Sequence, residues 1–141
     1  MKTITLLFIL IASNTFGQIP SKANVIAVTG LTFNQVCNAL LDSGYSIAIK
    51  DNDLQTVRTE PRDYPKLWSA KYVLNVRVKD TVAYFSGTFT AAGGEIWKDD
   101  PIYNHTNKKG TPYPKSLIGY PFIIMNMFAL AFNQPVEYLI K

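Results

Sequence analysis

KYVLNVRVKDTVAYFSGTFTA, residues 71–91, reads as one long antiparallel β-hairpin. Val, Tyr, Phe and Thr dominate it, and such side chains suit a pleated, half-buried surface. Tyr72, Leu74, Val76 and Val78 alternate with Val73, Asn75, Arg77 and Lys79, the two-residue period of a strand with one wet face. With Asp80-Thr81 as the turn, Val78 faces Ala83, Val76 faces Phe85, Leu74 faces Gly87 and Tyr72 faces Phe89, an apolar face throughout. The other face pairs Lys79 with Val82, Arg77 with Tyr84, Asn75 with Ser86, Val73 with Thr88 and Lys71 with Thr90. A four-residue loop from Lys79 to Val82 keeps the same pairs, whereas an odd loop puts the faces out of step. Asp-Thr is not the Asn-Gly or Asp-Gly of two-residue primed turns, which favours the longer loop.

Upstream lies a short apolar strand, Asn24–Gly30, and then a helix. Thr32 and Gln35 form a T-x-x-Q capping box, flanked by Leu31 and Val36 at the staple positions. Phe33, Val36, Cys37, Leu40 and Leu41 make one apolar stripe, and Gly44 supplies the left-handed cap. Tyr45–Ile49 then alternates as a strand, turns at Asp51-Asn52-Asp53 and returns through Leu54 to Glu60. A three-residue loop there pairs Ile47 with Val57 and Tyr45 with Thr59. Pro61 to Trp68 reads as a connector.

Downstream, residues 92–115 carry Gly93-Gly94, three prolines and a polar NHTNKKG run, and read as a long loop with at most a brief strand at Glu95-Ile96-Trp97. Leu117 to Phe132 is uncharged, with Pro121 suited to a helix's first turn. It is expected to be a core helix across the sheet, with a surplus of apolar surface. Val136 to Lys141 reads as a short strand or a last helical turn. The fold class is α+β: a two-layer sandwich, an antiparallel sheet with two helices on one face, in the order β-α-β-β-β-β-α.

Residues 1–17 have the pattern of a cleaved signal peptide. Lys2 supplies the charged start, Ile4 to Ala12 the apolar run, and Thr15 and Gly17 the small residues before a cut at Gln18. Removing 17 of 141 residues leaves 124, a single domain spanning 18–141. The only Cys is Cys37, so no lipidated cysteine stands at the cut and no internal disulfide is available. Without Lys2, 13 basic residues stand against 10 acidic ones, a net charge of +3. That dispersed excess does not point to nucleic acid. The localisation expected is periplasmic or extracellular, without lipidation and with no transmembrane helix in the mature chain.

No constellation of catalytic or metal-binding residues stands out. Cys37 sits on an apolar stripe, and the single histidine, His105, lies in the long loop. Asp51-Asn52-Asp53 lacks the glycine and glutamate of a calcium loop and reads as a solvated turn. Glu95, Asp99 and Asp100 read first as a polar loop, although carboxylates so close also suit acid–base work. Asp80-Thr81-Val82 resembles the Asp-Ser/Thr-apolar acceptor of Bacteroidota O-glycosylation, marking Thr81. The wet hairpin face is the most promising surface for a partner: Lys71, Asn75, Arg77 and Tyr84, flanked by Trp68 and Trp97. Arg and Tyr are types enriched at interface anchors.

The pattern V-x-G-x-T-x-x-x-V-x-x-x-L-x-x-x-G-Y-x-I, Val28 to Ile47, resembles small exported α+β domains of Bacteroidota. With the β-meander and terminal helix that follow, it also resembles the helix-grip domains of the outer-membrane assembly lipoprotein BamC. The resemblance implies the fold alone. The function expected is an exported, non-enzymatic binding or protein-interaction domain of the bacterial envelope, with no cofactor and an envelope or extracellular protein or small ligand as partner. Two alternatives stand beside it. One is a small hydrolase-like enzyme with its site under the 92–115 loop around Glu95, Asp99, Asp100 and His105. The other is a structural homodimer built on the 121–133 helix.

Overall fold

In a computed structural model the described residues are 19–64, 67–93, 95–96, 100–106 and 119–141. The signal-like segment 1–17 lies outside them. The elements are β1 (Val25–Thr29), α1 (Phe33–Asp42), β2 (Ile47–Asp51), β3 (Thr56–Thr59), β4 (Arg62–Tyr64), β5 (Leu67–Lys79), β6 (Val82–Gly93), β7 (Glu95–Ile96), β8 (Asp100–Pro101), α2 (Gly119–Leu130) and β9 (Val136–Leu139). They form an α+β fold around an open antiparallel sheet in the order β2-β3-β5-β6-β1-β9. β4 lies along β5, and β7 and β8 along β6. Four short strands are thus added to the order read from the sequence. Pro61 to Trp68 is not a bare connector, because β4 pairs with β5 and that strand begins at Leu67.

The β5–β6 hairpin has the register its alternation requires, from Lys79 opposite Val82 to Lys71 opposite Thr90. Its turn is the two-residue one, not the longer loop. Asp80 and Thr81 both take left-handed backbone angles, φ 50° and 60°, without a glycine. A β-branched residue is strained there. What holds Thr81 is its carbonyl, which accepts from the backbone N–H groups of Gly30 (2.8 Å) and Leu31 (3.0 Å). The corner between β1 and α1 therefore clamps the hairpin tip.

The β2–β3 register departs from expectation. One Asp51 carboxylate oxygen accepts from the backbone N–H groups of Asp53 and Leu54, both at 2.9 Å. Gln55 takes a left-handed φ of 53°, so the turn spans four residues, Asn52–Gln55. Ile47 then faces Thr59 rather than Val57, and a bulge between Ile47 and Ile49 absorbs the mismatch. Tyr45 precedes the strand and turns into the core.

Both helices cover the same sheet face. Phe33, Val36, Cys37 and Leu40 of α1 and Phe122, Met125 and Ala129 of α2 join Ile26, Val28, Leu74, Val76, Val78 and Phe85 in one buried cluster. The α1 capping box forms in full, with Gln35 N–H donating to Thr32 Oγ1 at 3.3 Å and Thr32 N–H to Gln35 Oε1 at 2.9 Å. Leu41, read as part of the stripe, is 53% exposed. Eight residues past Phe33 it has rotated about 80° around the axis. On α2 the lone polar residue, Asn126, accepts from the Tyr138 hydroxyl of β9 at 2.8 Å. Met127 and Leu130 face solvent.

Part of the stretch read as a long loop is a strap. Beyond β8, Ile102 N–H donates to the Gly87 carbonyl at 3.0 Å and its side chain is fully buried. Asn104, also buried, donates from its amide to the Ile19 and Pro20 carbonyls at 3.1 and 3.0 Å. Asn104 N–H and carbonyl bond Ala23 and Lys22. Residues 107–118 lie outside the described residues.

Candidate functional site on the open sheet face

Residues opposite each other in an antiparallel pair project to the same face. The pairings therefore place Glu137, Ala27, Tyr84, Arg77, Thr56 and Asp51 in one cross-strand row on the face away from the helices. The adjacent row on that face carries Leu139 and Val25 on one side, and Ser86, Asn75, Arg58 and Ile49 on the other. This face is not uniformly wet, since Val25, Ala27 and Val73 are buried in it.

The two rows flank a half-open groove of about 450 Å³. Arg77 and Asn75 of β5 line it, with Tyr84 and Ser86 of β6. Thr56 and Arg58 of β3 form a second wall, and Val25 and Ile49 supply apolar surface. Lys141 completes it. Its backbone is held by the Asn24 amide, which donates to the Lys141 carbonyl and accepts from its N–H, both at 2.8 Å. The Lys141 ammonium then sits 4.8 Å from the centre of the Tyr84 ring, a cation–π distance. Ser86 donates to the Asn75 backbone carbonyl at 3.4 Å, and the Asn75 side-chain amide makes no hydrogen bond among the described residues. Arg77 likewise makes no ion pair there. The charged side chains lining the groove are Arg58, Arg77 and Lys141, all cations.

Of the residues singled out from the sequence, Asn75, Arg77 and Tyr84 come together in this groove. Lys71 does not. It lies further along the same face, 3.5 Å from the Asp63 carboxylate in an exposed pair. Trp97 lies outside the described residues, as does the side chain of Trp68. Thr81 stands exposed at the hairpin tip. Sequence reasoning missed Arg58, Thr56 and Lys141, because their placement follows from the β3–β5 pairing and the Asn24 tether rather than from any local pattern.

The other candidate centres are less developed. Cys37 is buried, and burial pushes its thiol pKa up against a smaller opposing pull from Lys50. His105 is half-buried and meets the Tyr103 ring edge-on at 5.9 Å. Asp99 lies outside the described residues, as do the side chains of Glu95 and Asp100. Among the described residues no three His, Cys, Asp or Glu side chains cluster as metal ligands would. Nor is any described helix long and apolar enough to cross a membrane.

No protein-family model matches the chain, and no curated protein matches it in sequence.

Proposed function

We propose that this chain is an exported, non-enzymatic binding domain of the bacterial envelope or extracellular space that takes its partner on the open sheet face. The observation that carries the reading is the groove. A concave site of this size, with apolar surface and a few convergent polar groups, is what small-molecule and peptide sites have in common. Among the described residues the Arg77 side chain makes no ion pair and the Asn75 amide no hydrogen bond. Export rests on the signal-like pattern of residues 1–17, and the resemblance to exported Bacteroidota domains accords with it.

The test is capture of partners from envelope and culture fluid with the tagged mature chain, beside the double variant Arg77→Glu/Tyr84→Ala. Both side chains project away from the core, so the variant is expected to keep its fold. A partner held by the native chain and lost by the variant supports the reading; equal binding by both removes the groove from it. A second reading, a homodimer on α2, is favoured by Met127, an apolar side chain left 67% exposed on that helix. Light scattering decides it, since a monomer at working concentration excludes this role.

A further inference from the structure

The groove's charge narrows what it accepts. Arg58 lies opposite Asn75, and Arg77 follows Asn75 by two residues on the same strand. The two arginines are therefore diagonal neighbours, with Cα atoms about 7–8 Å apart. Lys141 stands on the Tyr84 side of the same space. Glu137 and Asp51 end the row that contains Arg77, but neither lines the groove. The Asp51 carboxylate is already engaged by two backbone N–H groups of its own turn. A cleft lined by one sign of charge concentrates the opposite sign. Paired guanidinium groups suit the planar or tetrahedral oxygens of a carboxylate or phosphate. Among the uncharged polar groups of the lining, the Asn75 amide and the Thr56 hydroxyl offer both donor and acceptor, while the Ser86 hydroxyl, whose hydrogen goes to the Asn75 carbonyl, offers an acceptor. Those groups match ligand hydroxyls.

We propose that the groove is an oxyanion site for a small hydroxylated acid, with its carboxylate or phosphate between Arg58 and Arg77 and facing Lys141. The ligand's hydroxyls pair with Asn75, Ser86 and Thr56. This rests on the open-face binding reading and specifies its ligand.

Calorimetric titration of the protein with galacturonate, galactose 6-phosphate and galactose tests it, because the three share a ring and differ in the anion. At least one acid binds and galactose does not; the acid preferred assigns carboxylate or phosphate. Arg77→Gln and Arg58→Gln each weaken the acid by roughly tenfold or more. Lys71→Gln, which removes the same charge from the same face outside the groove, changes it by less than about twofold. Circular dichroism confirms that all three variants are folded. The proposal is overturned if neither acid binds better than galactose, or if Lys71→Gln weakens binding as much as Arg77→Gln. If the acids fail while partner capture still depends on Arg77 and Tyr84, only the ligand class falls. If capture fails too, the open-face reading falls with it.

Discussion

On one face of β5 and β6, Leu74, Val76, Val78 and Phe85 lie under two helices; on the other, one residue away, Asn75, Arg77, Lys79 and Tyr84 meet solvent or the groove. The backbone ladder is common to both faces. The core face spends its side chains on packing and leaves little room for change. The open face carries the Asn75 amide without a hydrogen bond and Arg77 without an ion pair among the described residues, and these are the side chains the proposed ligand would use. A two-residue period thus separates the packed side chains from those of the proposed site within a single hairpin.

The sharpest way to break this division is to truncate neighbours on opposite faces. Phe85 is fully buried and packs edge-on against Phe128, with ring centres 5.8 Å apart. Phe85→Ala is expected to cost about 3–5 kcal/mol in urea unfolding, as large-to-alanine changes in cores do. Tyr84→Ala, its sequence neighbour, is expected to cost under about 1 kcal/mol. Comparable losses would mean that the open face is structural.

Gly87 probes the core face from the other direction. A Cβ added there would meet Ile102 Cδ1 at 2.6 Å and the Val73 carbonyl oxygen at 2.8 Å. The strap side chain occupies the space that a residue opposite Leu74 would otherwise fill. Gly87→Ala is expected to cost about 1–3 kcal/mol through overpacking. Adding Ile102→Ala relieves only part of the strain, because the carbonyl contact belongs to the backbone. Full additivity of the two changes would place the strap elsewhere.

Alkaline unfolding reports on the core face. Tyr72 lies on the core face, its hydroxyl 3.3 Å from that of Tyr45. Burial, and then that hydrogen bond, raise its pKa well above the ordinary value of 10; burial also raises Tyr64 and Tyr138. The unfolded chain therefore releases these protons first. Stability is fully present below about pH 10 and falls as pH rises beyond it. Tyr72→Phe is expected to flatten that fall. An unchanged alkaline slope would remove Tyr72 from the account.

What was legible in the sequence was local. The Thr32–Gln35 box and Gly44 mark the two ends of α1, and alternation alone sets the faces of β5 and β6. Where a side chain rewrote the backbone, legibility ended: the Asp51 carboxylate makes the β2–β3 turn four residues long and moves Ile47 from Val57 to Thr59. The hairpin tip failed similarly, since Gly30 and Leu31, fifty residues away, stabilise a turn that Asp80-Thr81 would not choose alone. Half of the site was readable for the same reason. Asn75, Arg77 and Tyr84 share one hairpin, whereas Arg58 arrives through β3 and Lys141 through the Asn24 amide.

The smallest effect expected is the most informative about purpose. Arg77 is exposed, unpaired among the described residues, and diagonal to Arg58. A side chain with no partner and a like-charged neighbour contributes little to folding. Arg77→Gln is therefore expected to change unfolding stability by no more than about 0.5 kcal/mol, with a slight gain at low salt as repulsion is relieved. Urea unfolding at two ionic strengths checks this. A loss above about 1 kcal/mol would mean that Arg77 supports the sheet. A null effect on stability, beside a tenfold loss of acid binding, would identify a charge held on the open face for a ligand rather than for the fold.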